Sequence, residues 1–192
     1  MAFLRLPATQ EFDAEVVGHG VVLRPPVLSD HEAWAQLRGV SREHLVPWEP
    51  QWARDELSRA AFRRRIRFYA RDSREDTGYA FFVFETSTDA LIGALTLSNV
   101  RRGVAQAAAL GYWAGASFSG RGLMTEAVRA VVPFAFETLR LHRIEAACLP
   151  QNAGSGRVLE KAGFVQEGVA RRHLKINGVW QDHLLFALLE DD

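Results

Sequence analysis

The feature that most constrains this chain is the run Ser117-Phe118-Ser119-Gly120-Arg121-Gly122-Leu123-Met124-Thr125-Glu126-Ala127, a two-glycine turn that leads straight into an amphipathic helix. It follows a strand-like apolar stretch over 107–113. A helix start leaves its first amide N–H groups without partners, and the helix dipole adds partial positive charge there. Such a turn therefore suits phosphate oxygens. Gly120 and Gly122 remove the side chains that would hold a diphosphate away from those amides. Met124, Ala127, Val128, Val131, Ala135 and Leu139 fall at three- and four-residue steps, the spacing of one apolar helix face. Pro133 lies inside that helix and is expected to bend it.

A second segment completes the pattern: Asn152-Ala153-Gly154-Ser155-Gly156 opens a short helix that ends at Gly163-Phe164. It comes after an alternating stretch over 143–149 that Pro150 stops. Upstream, a strand is expected over 16–24, a helix capped by Ser29 or Asp30 to about 38, and a helix over about 54–71. A hairpin over 79–85 and 91–99 turns at Ser87-Thr88-Asp89. A last hairpin, 165–176 with 180–189, turns at Asn177-Gly178, the strongest short hairpin signal.

A chain of 192 residues is long enough for a substantial core and reads as one domain, 1–192. Its 23 Lys+Arg and 23 Asp+Glu balance, which leaves no overall basic field to drive binding to nucleic acid. The arginines at 59, 63, 64, 65, 67, 71 and 74 have acids nearby and read as a solvated helix face. A single cysteine, Cys148, excludes an internal disulfide and suits a reducing compartment. The first residues lack a signal peptide's apolar run and no segment reaches the length of a membrane span, so a cytoplasmic protein without membrane contact is expected.

The glycine turn together with the Asn152–Ser155 segment resembles the GNAT superfamily of N-acetyltransferases, whose glycine pattern binds the diphosphate of acetyl-coenzyme A. Ser117 stands where that pattern prefers Gln or Arg. A narrower likeness, covering about 22–189, is to the ribosomal-protein alanine N-acetyltransferases (the RimJ/RimL group). It is carried by Leu45-Val46-Pro47-Trp48-Glu49-Pro50, Ile92-Gly93, Ser98-Asn99-Val100, Leu110-Gly111-Tyr112-Trp113 and Ile176-Asn177-Gly178-Val179-Trp180-Gln181-Asp182-His183. The resemblance implies an α/β fold built on a mixed, mostly antiparallel twisted sheet with helices on both faces. It implies transfer of acetyl from acetyl-CoA to an amine by direct attack, without a metal. The implied acceptor is the N-terminal α-amine, usually of alanine, of a ribosomal or other protein. A small amine or amino acid is the alternative, and a non-catalytic sensor of coenzyme A is the reading from another class. A monomer or homodimer is expected.

The same resemblance assigns the site. The pantetheine arm is expected along the backbone of Gly111, Tyr112 and Trp113. The diphosphate is expected on Ser119, Gly120, Arg121, Gly122, Leu123, Met124 and Thr125, with Asn152 and Ser155 beside it. Trp48, Glu49 and Asn99 are expected at the acceptor. Many superfamily members carry a tyrosine as general acid four residues before Gly-Phe, where this chain has Leu159, so Ser155 is the replacement acid. No carboxylate occurs over 107–113, which leaves Glu49 to take the ammonium proton or to bind the ammonium. Trp48 reads equally well as a packing aromatic. Asp182-His183 is expected to be structural, and Cys148 a core thiol.

Overall fold

The computed structural model describes residues 12–192. The stretch expected as one strand is two, β1 (Val16–Gly18) and β2 (Val21–Arg24), paired antiparallel. Gly20, at φ +74°, makes the reversal, a conformation open to glycine and strained for most other residues. Then come α1 (His31–Val40) and α2 (Arg42–Leu45), and a 3-10 turn over Val46–Trp48. Asp30 does not cap α1 with its side chain. Its carboxylate accepts from the Val27 amide at 2.8 Å and takes both guanidinium nitrogens of Arg24. Helix α3 (Arg59–Arg74) begins later than expected because Ser58 caps it, accepting from the Ala61 amide at 3.1 Å.

The remaining elements are β3 (Gly78–Glu85), β4 (Ala90–Arg101), β5 (Ala107–Ala114), α4 (Leu123–Pro133), β6 (Arg143–Cys148), α5 (Ala153–Lys161), β7 (Val165–Ile176) and β8 (Val179–Leu189). The strands form one sheet in the order β1-β2-β3-β4-β5-β6-β8-β7. Every neighbouring pair runs antiparallel except β5 and β6. Strand β3 shows why helices cover both faces: Phe81 and Phe82 are adjacent, hence on opposite faces, and both are buried. Phe81 packs in the cluster built on α4, through Met124, Ala127, Val128 and Val131. Phe82 packs in the other, with Trp34 and Leu37 of α1 and Phe62 of α3.

The helix face read from the sequence, Met124 through Leu139, is buried throughout. Pro133 has no amide hydrogen, and the chain answers by widening into a π-turn over Phe134–Thr138 in place of a simple kink. Its closing bond runs from the Leu139 amide to the Phe134 carbonyl at 3.0 Å. The basic helix is partly neutralised: Arg64 pairs with Asp55 and Arg65 with Glu56.

Beside the glycine turn, β4 and β5 approach so closely that a Cβ on Gly93 would lie 2.0 Å from the Trp113 carbonyl oxygen. Backbone cannot yield as a flexible side chain can. Gly93→Ala is therefore expected to destabilise the fold by about 1–3 kcal/mol, the range for an overpacked interior. It should lower the midpoint of denaturant unfolding, and an unchanged midpoint would show that this strand pair has slack.

Candidate active site

Gly122 is the N-cap of α4 with φ +82°, and Gly120 lies at +77°. The first bond into the helix runs from the Glu126 amide to the Gly122 carbonyl at 3.1 Å. Among the described residues the amides from Gly120 to Thr125 find no hydrogen-bond partner, which leaves six donors at one helix end. The Ser119 amide is not one of them, since it is bound to the Ala116 carbonyl at 3.2 Å. A Cβ at Gly120 or Gly122 would meet nothing within 4 Å, so the turn opens onto free space that a ligand can enter. The Arg121 guanidinium turns away to Glu85 and over the Phe118 ring. Neither Arg121 nor Leu123 lines the adjoining cavity.

That cavity, of about 670 Å³, exists because β5 and β6 part. Their parallel pairing covers Ala107↔Arg143 to Leu110↔Ala146 and then stops. Strand β5 continues on β4 as far as Ala114↔Gly93, and β6 continues on β8 as far as Cys148↔Leu184. Gly111, Tyr112 and Trp113 thus present an unpaired backbone edge to the gap, a place where an extended amide-bearing chain can add as a strand. The Tyr112 side chain reaches across the gap to α5. The Tyr112 hydroxyl lies 2.8 Å from the Ser155 hydroxyl and 3.0 Å from the Ser155 carbonyl oxygen. Burial pushes the Tyr112 phenol well above its ordinary value despite the opposing pull of Ser155, so it remains a proton donor at neutral pH.

Ser155 stands in the first turn of α5, where its amide donates to Asn152 Oδ1 at 3.1 Å. Asn152 is the N-cap of this helix, and that role fixes the backbone from which Ser155 projects. Helix α5 adds Arg157 and Lys161 to the cavity lining, two cations suited to phosphates. Cys148 is buried and lines the same cavity, and burial raises its thiol pKa while Ser155 opposes the rise. A thiol held protonated is a poor nucleophile.

At the other end of the cavity lie Trp48 and Glu49. Glu49 is not free. Arg38 grips both carboxylate oxygens at 3.1 and 2.7 Å, and Trp52 Nε1–H donates to Oε2 at 2.8 Å. Arg38 is buried, with its guanidinium 4.4 Å from the Trp52 ring centre and 4.9 Å from that of Trp113. The Glu49 carbonyl accepts from the Asn177 amide at 2.9 Å, which pins the tip of the β7–β8 hairpin over the cavity mouth. Asn99 lies elsewhere, at φ +51° in the β4 bulge, and does not line the cavity. The sequence reading passed over Arg38 and Trp52, and it set aside His183, which is 2 % exposed and lines the cavity.

An acetyltransferase (GNAT) domain family matches residues 21–165, which include both strands of the parted pair, the glycine turn and Ser155. The chain belongs to the GNAT acetyltransferases. This acetyl-CoA-dependent N-acetyltransferase is 43% identical over 175 residues to the probable N-acetyltransferase YjcK of Bacillus subtilis, covering 91% of this chain and 97% of that one. It is 34% identical over 168 residues to the [ribosomal protein uS5]-alanine N-acetyltransferase of Escherichia coli, covering 86% and 87%. Among solved structures, Mycobacterium smegmatis RimJ in complex with CoA-disulfide superimposes with a TM-score of 0.86 at 30% identity, covering 96% of this chain and 90% of that one. Among the described residues no three His, Cys, Asp or Glu side chains are grouped to hold a metal ion. No described helix is long and apolar enough to cross a membrane.

The open turn carries a direct test. Gly122→Val forces a branched side chain to φ +82° and crowds the free amides. Calorimetric affinity for coenzyme A is expected to fall at least about tenfold, the loss of one phosphate-amide interaction. Unchanged affinity would mean that the diphosphate lies elsewhere.

Proposed function

We propose that this acetyltransferase acts on the N-terminal α-amine of a protein, with alanine as the terminal residue, as the uS5-alanine N-acetyltransferase it resembles is named to do. The observation that carries the reading is that likeness over 86% of the chain, joined to a cavity open at its acceptor end and roofed by the Trp48–Glu49 loop and the hairpin tip. Chemistry supports it as well. An α-amine has a reference pKa near 8 and a lysine near 10.4, so the α-amine is easier to neutralise by about 3 kcal/mol. That suits a site whose one loop carboxylate is already bound to an arginine.

Acetyl-CoA lies with its diphosphate on the amides of Gly120 to Thr125 and its pantetheine arm along Gly111–Trp113. The arm ends beside the hydrogen-bonded pair Tyr112–Ser155. The amine attacks the thioester carbon directly, forming the C–N bond, and collapse breaks C–S with the electron pair left on sulfur. Tyr112 O–H donates to Ser155 Oγ, and Ser155 O–H donates to the departing sulfur. This pair stands in for the acid tyrosine that Leu159 replaces. Glu49, held by Arg38, Trp52 and the hairpin tip, shapes the acceptor loop and orients the approaching ammonium. Substrate and catalytic groups held in one geometry make the attack effectively unimolecular.

Two variants test the acid. Ser155→Ala is expected to lower kcat about ten- to a thousandfold with little change in coenzyme A affinity, since the hydroxyl matters as the sulfur gains charge. Tyr112→Phe is expected to follow in the same direction. Full kcat with lost affinity in Ser155→Ala would reduce Ser155 to a binding residue. The acceptor is tested by thiol release with six-residue peptides beginning Ala, Ser or Met beside small amines. Preference for a small amine over the Ala peptide would overturn the protein-terminus reading.

A further inference from the structure

Two buried titratable groups, Cys148 and His183, line the cavity and have no part in the chemistry above. His183 is 2 % exposed on β8, next to Leu184, the register partner of Cys148. It sits where pairing with β6 has ended and lines the cavity, as do Leu174 and Ile176 of the β7–β8 hairpin. Its Nδ1 is 2.9 Å from the Gln181 carbonyl oxygen. A carbonyl oxygen can only accept, so Nδ1 carries the hydrogen and the neutral ring keeps its lone pair on Nε2. Among the described residues nothing donates to Nε2. The ring is also held from behind by His173, edge to face at 5.6 Å.

We propose that His183 is the general base of this enzyme, and that its Nε2 takes the ammonium proton of the acceptor. The first proton passes from the ammonium to Nε2 and then to solvent. The freed lone pair forms the C–N bond. The second nitrogen proton is lost as the intermediate collapses, and the departing sulfur ends with a proton supplied through Ser155. The inference rests on transfer to an amine and not on which molecule bears it.

The surroundings favour a neutral ring. Burial lowers the His183 pKa, His173 lowers it further, and the Gln181 carbonyl and Asp182 oppose them. Asp182 is engaged elsewhere, its Oδ1 accepting from the Arg172 amide at 2.8 Å. Of the other titratable groups lining the cavity, Glu49 is bound to Arg38, Cys148 and Tyr112 are held protonated by burial, His44 is exposed, and Lys175, Arg157 and Lys161 carry basic side chains. None offers a buried, neutral, unoccupied lone pair. A base that stays unprotonated down to below an ordinary imidazole's value is ready throughout the neutral range.

The test separates base from brace. Asn at 183 can keep an amide N–H where Nδ1–H points while lacking Nε2, so His183→Asn retains the bond to Gln181 and loses only the base. With whichever peptide or amine wild type acetylates fastest, His183→Asn is expected to lose about a hundredfold or more in kcat with unchanged coenzyme A affinity. The acidic limb of kcat/KM is expected to move up towards the acceptor amine's own pKa, about 8 for an α-amine. Near-wild-type kcat in His183→Asn, or an unmoved acidic limb, would overturn the proposal. A reading independent of any acceptor comes from nitrogen NMR of labelled histidine in the wild-type protein at pH 7. A bare Nε2 on a neutral ring is expected, and an Nε2–H tautomer or a charged ring would overturn it. If wild type acetylates no peptide but does acetylate a small amine, the α-amine reading fails while the test of His183 stands.

Discussion

The site depends on a failure of pairing. A parallel strand pair with both edges satisfied would bury its amides and leave nothing for a ligand, but β5 and β6 stay together only from Ala107↔Arg143 to Leu110↔Ala146. Each strand then follows its outer partner, β5 with β4 and β6 with β8. The backbone donors and acceptors left on the inner edge of β5 are costly if buried without partners. The cofactor arm can satisfy them. The same gap admits Tyr112 from one side and Ser155 from the other, so the event that opens the cleft also brings together the pair proposed as the acid.

The end of the cavity at Trp48 and Glu49, proposed for the acceptor, is held for a different reason. Arg38 is buried, and its charge is matched by Glu49 with Glu56 at 3.7 Å, while indole rings flank the guanidinium. A buried pair of this kind adds little net stability over an apolar substitute, yet removing one partner strands the other charge at a cost of about 3–5 kcal/mol. Its use is geometric. It fixes the loop from Val46 to Pro50 against β5, and the Asn177 amide then holds the hairpin tip to that loop. Two segments more than a hundred residues apart in sequence thus meet over one cavity.

What the sequence revealed was what local pattern encodes. The glycines at 120 and 122, the buried face of α4, the Asn152 cap and the Asn177-Gly178 hairpin are each readable within a dozen residues. Ser58 as a cap and Gly20 as a reversal were equally local and were passed over. The tertiary encounters were not legible. Tyr112 and Ser155 are 43 residues apart, and nothing in either segment says that their hydroxyls meet. In the sequence Arg38 marks only the approximate end of an expected helix, and only the fold shows its charge enclosed by tryptophans and paired with Glu49. His183 looked structural because a strand pattern reports alternation, not which end of a neighbouring strand has stopped pairing.

The central claim is that the unpaired edge of β5 is completed by the cofactor. Amide hydrogen exchange with and without coenzyme A reads it directly. The account predicts that added coenzyme A slows exchange at two separate segments, the inner-edge amides within Gly111–Trp113 and the helix-start amides from Gly120 to Thr125, while the paired stretch Ala107–Leu110 stays as it was. Protection confined to the glycine turn, with the β5 edge still exchanging freely, would contradict it.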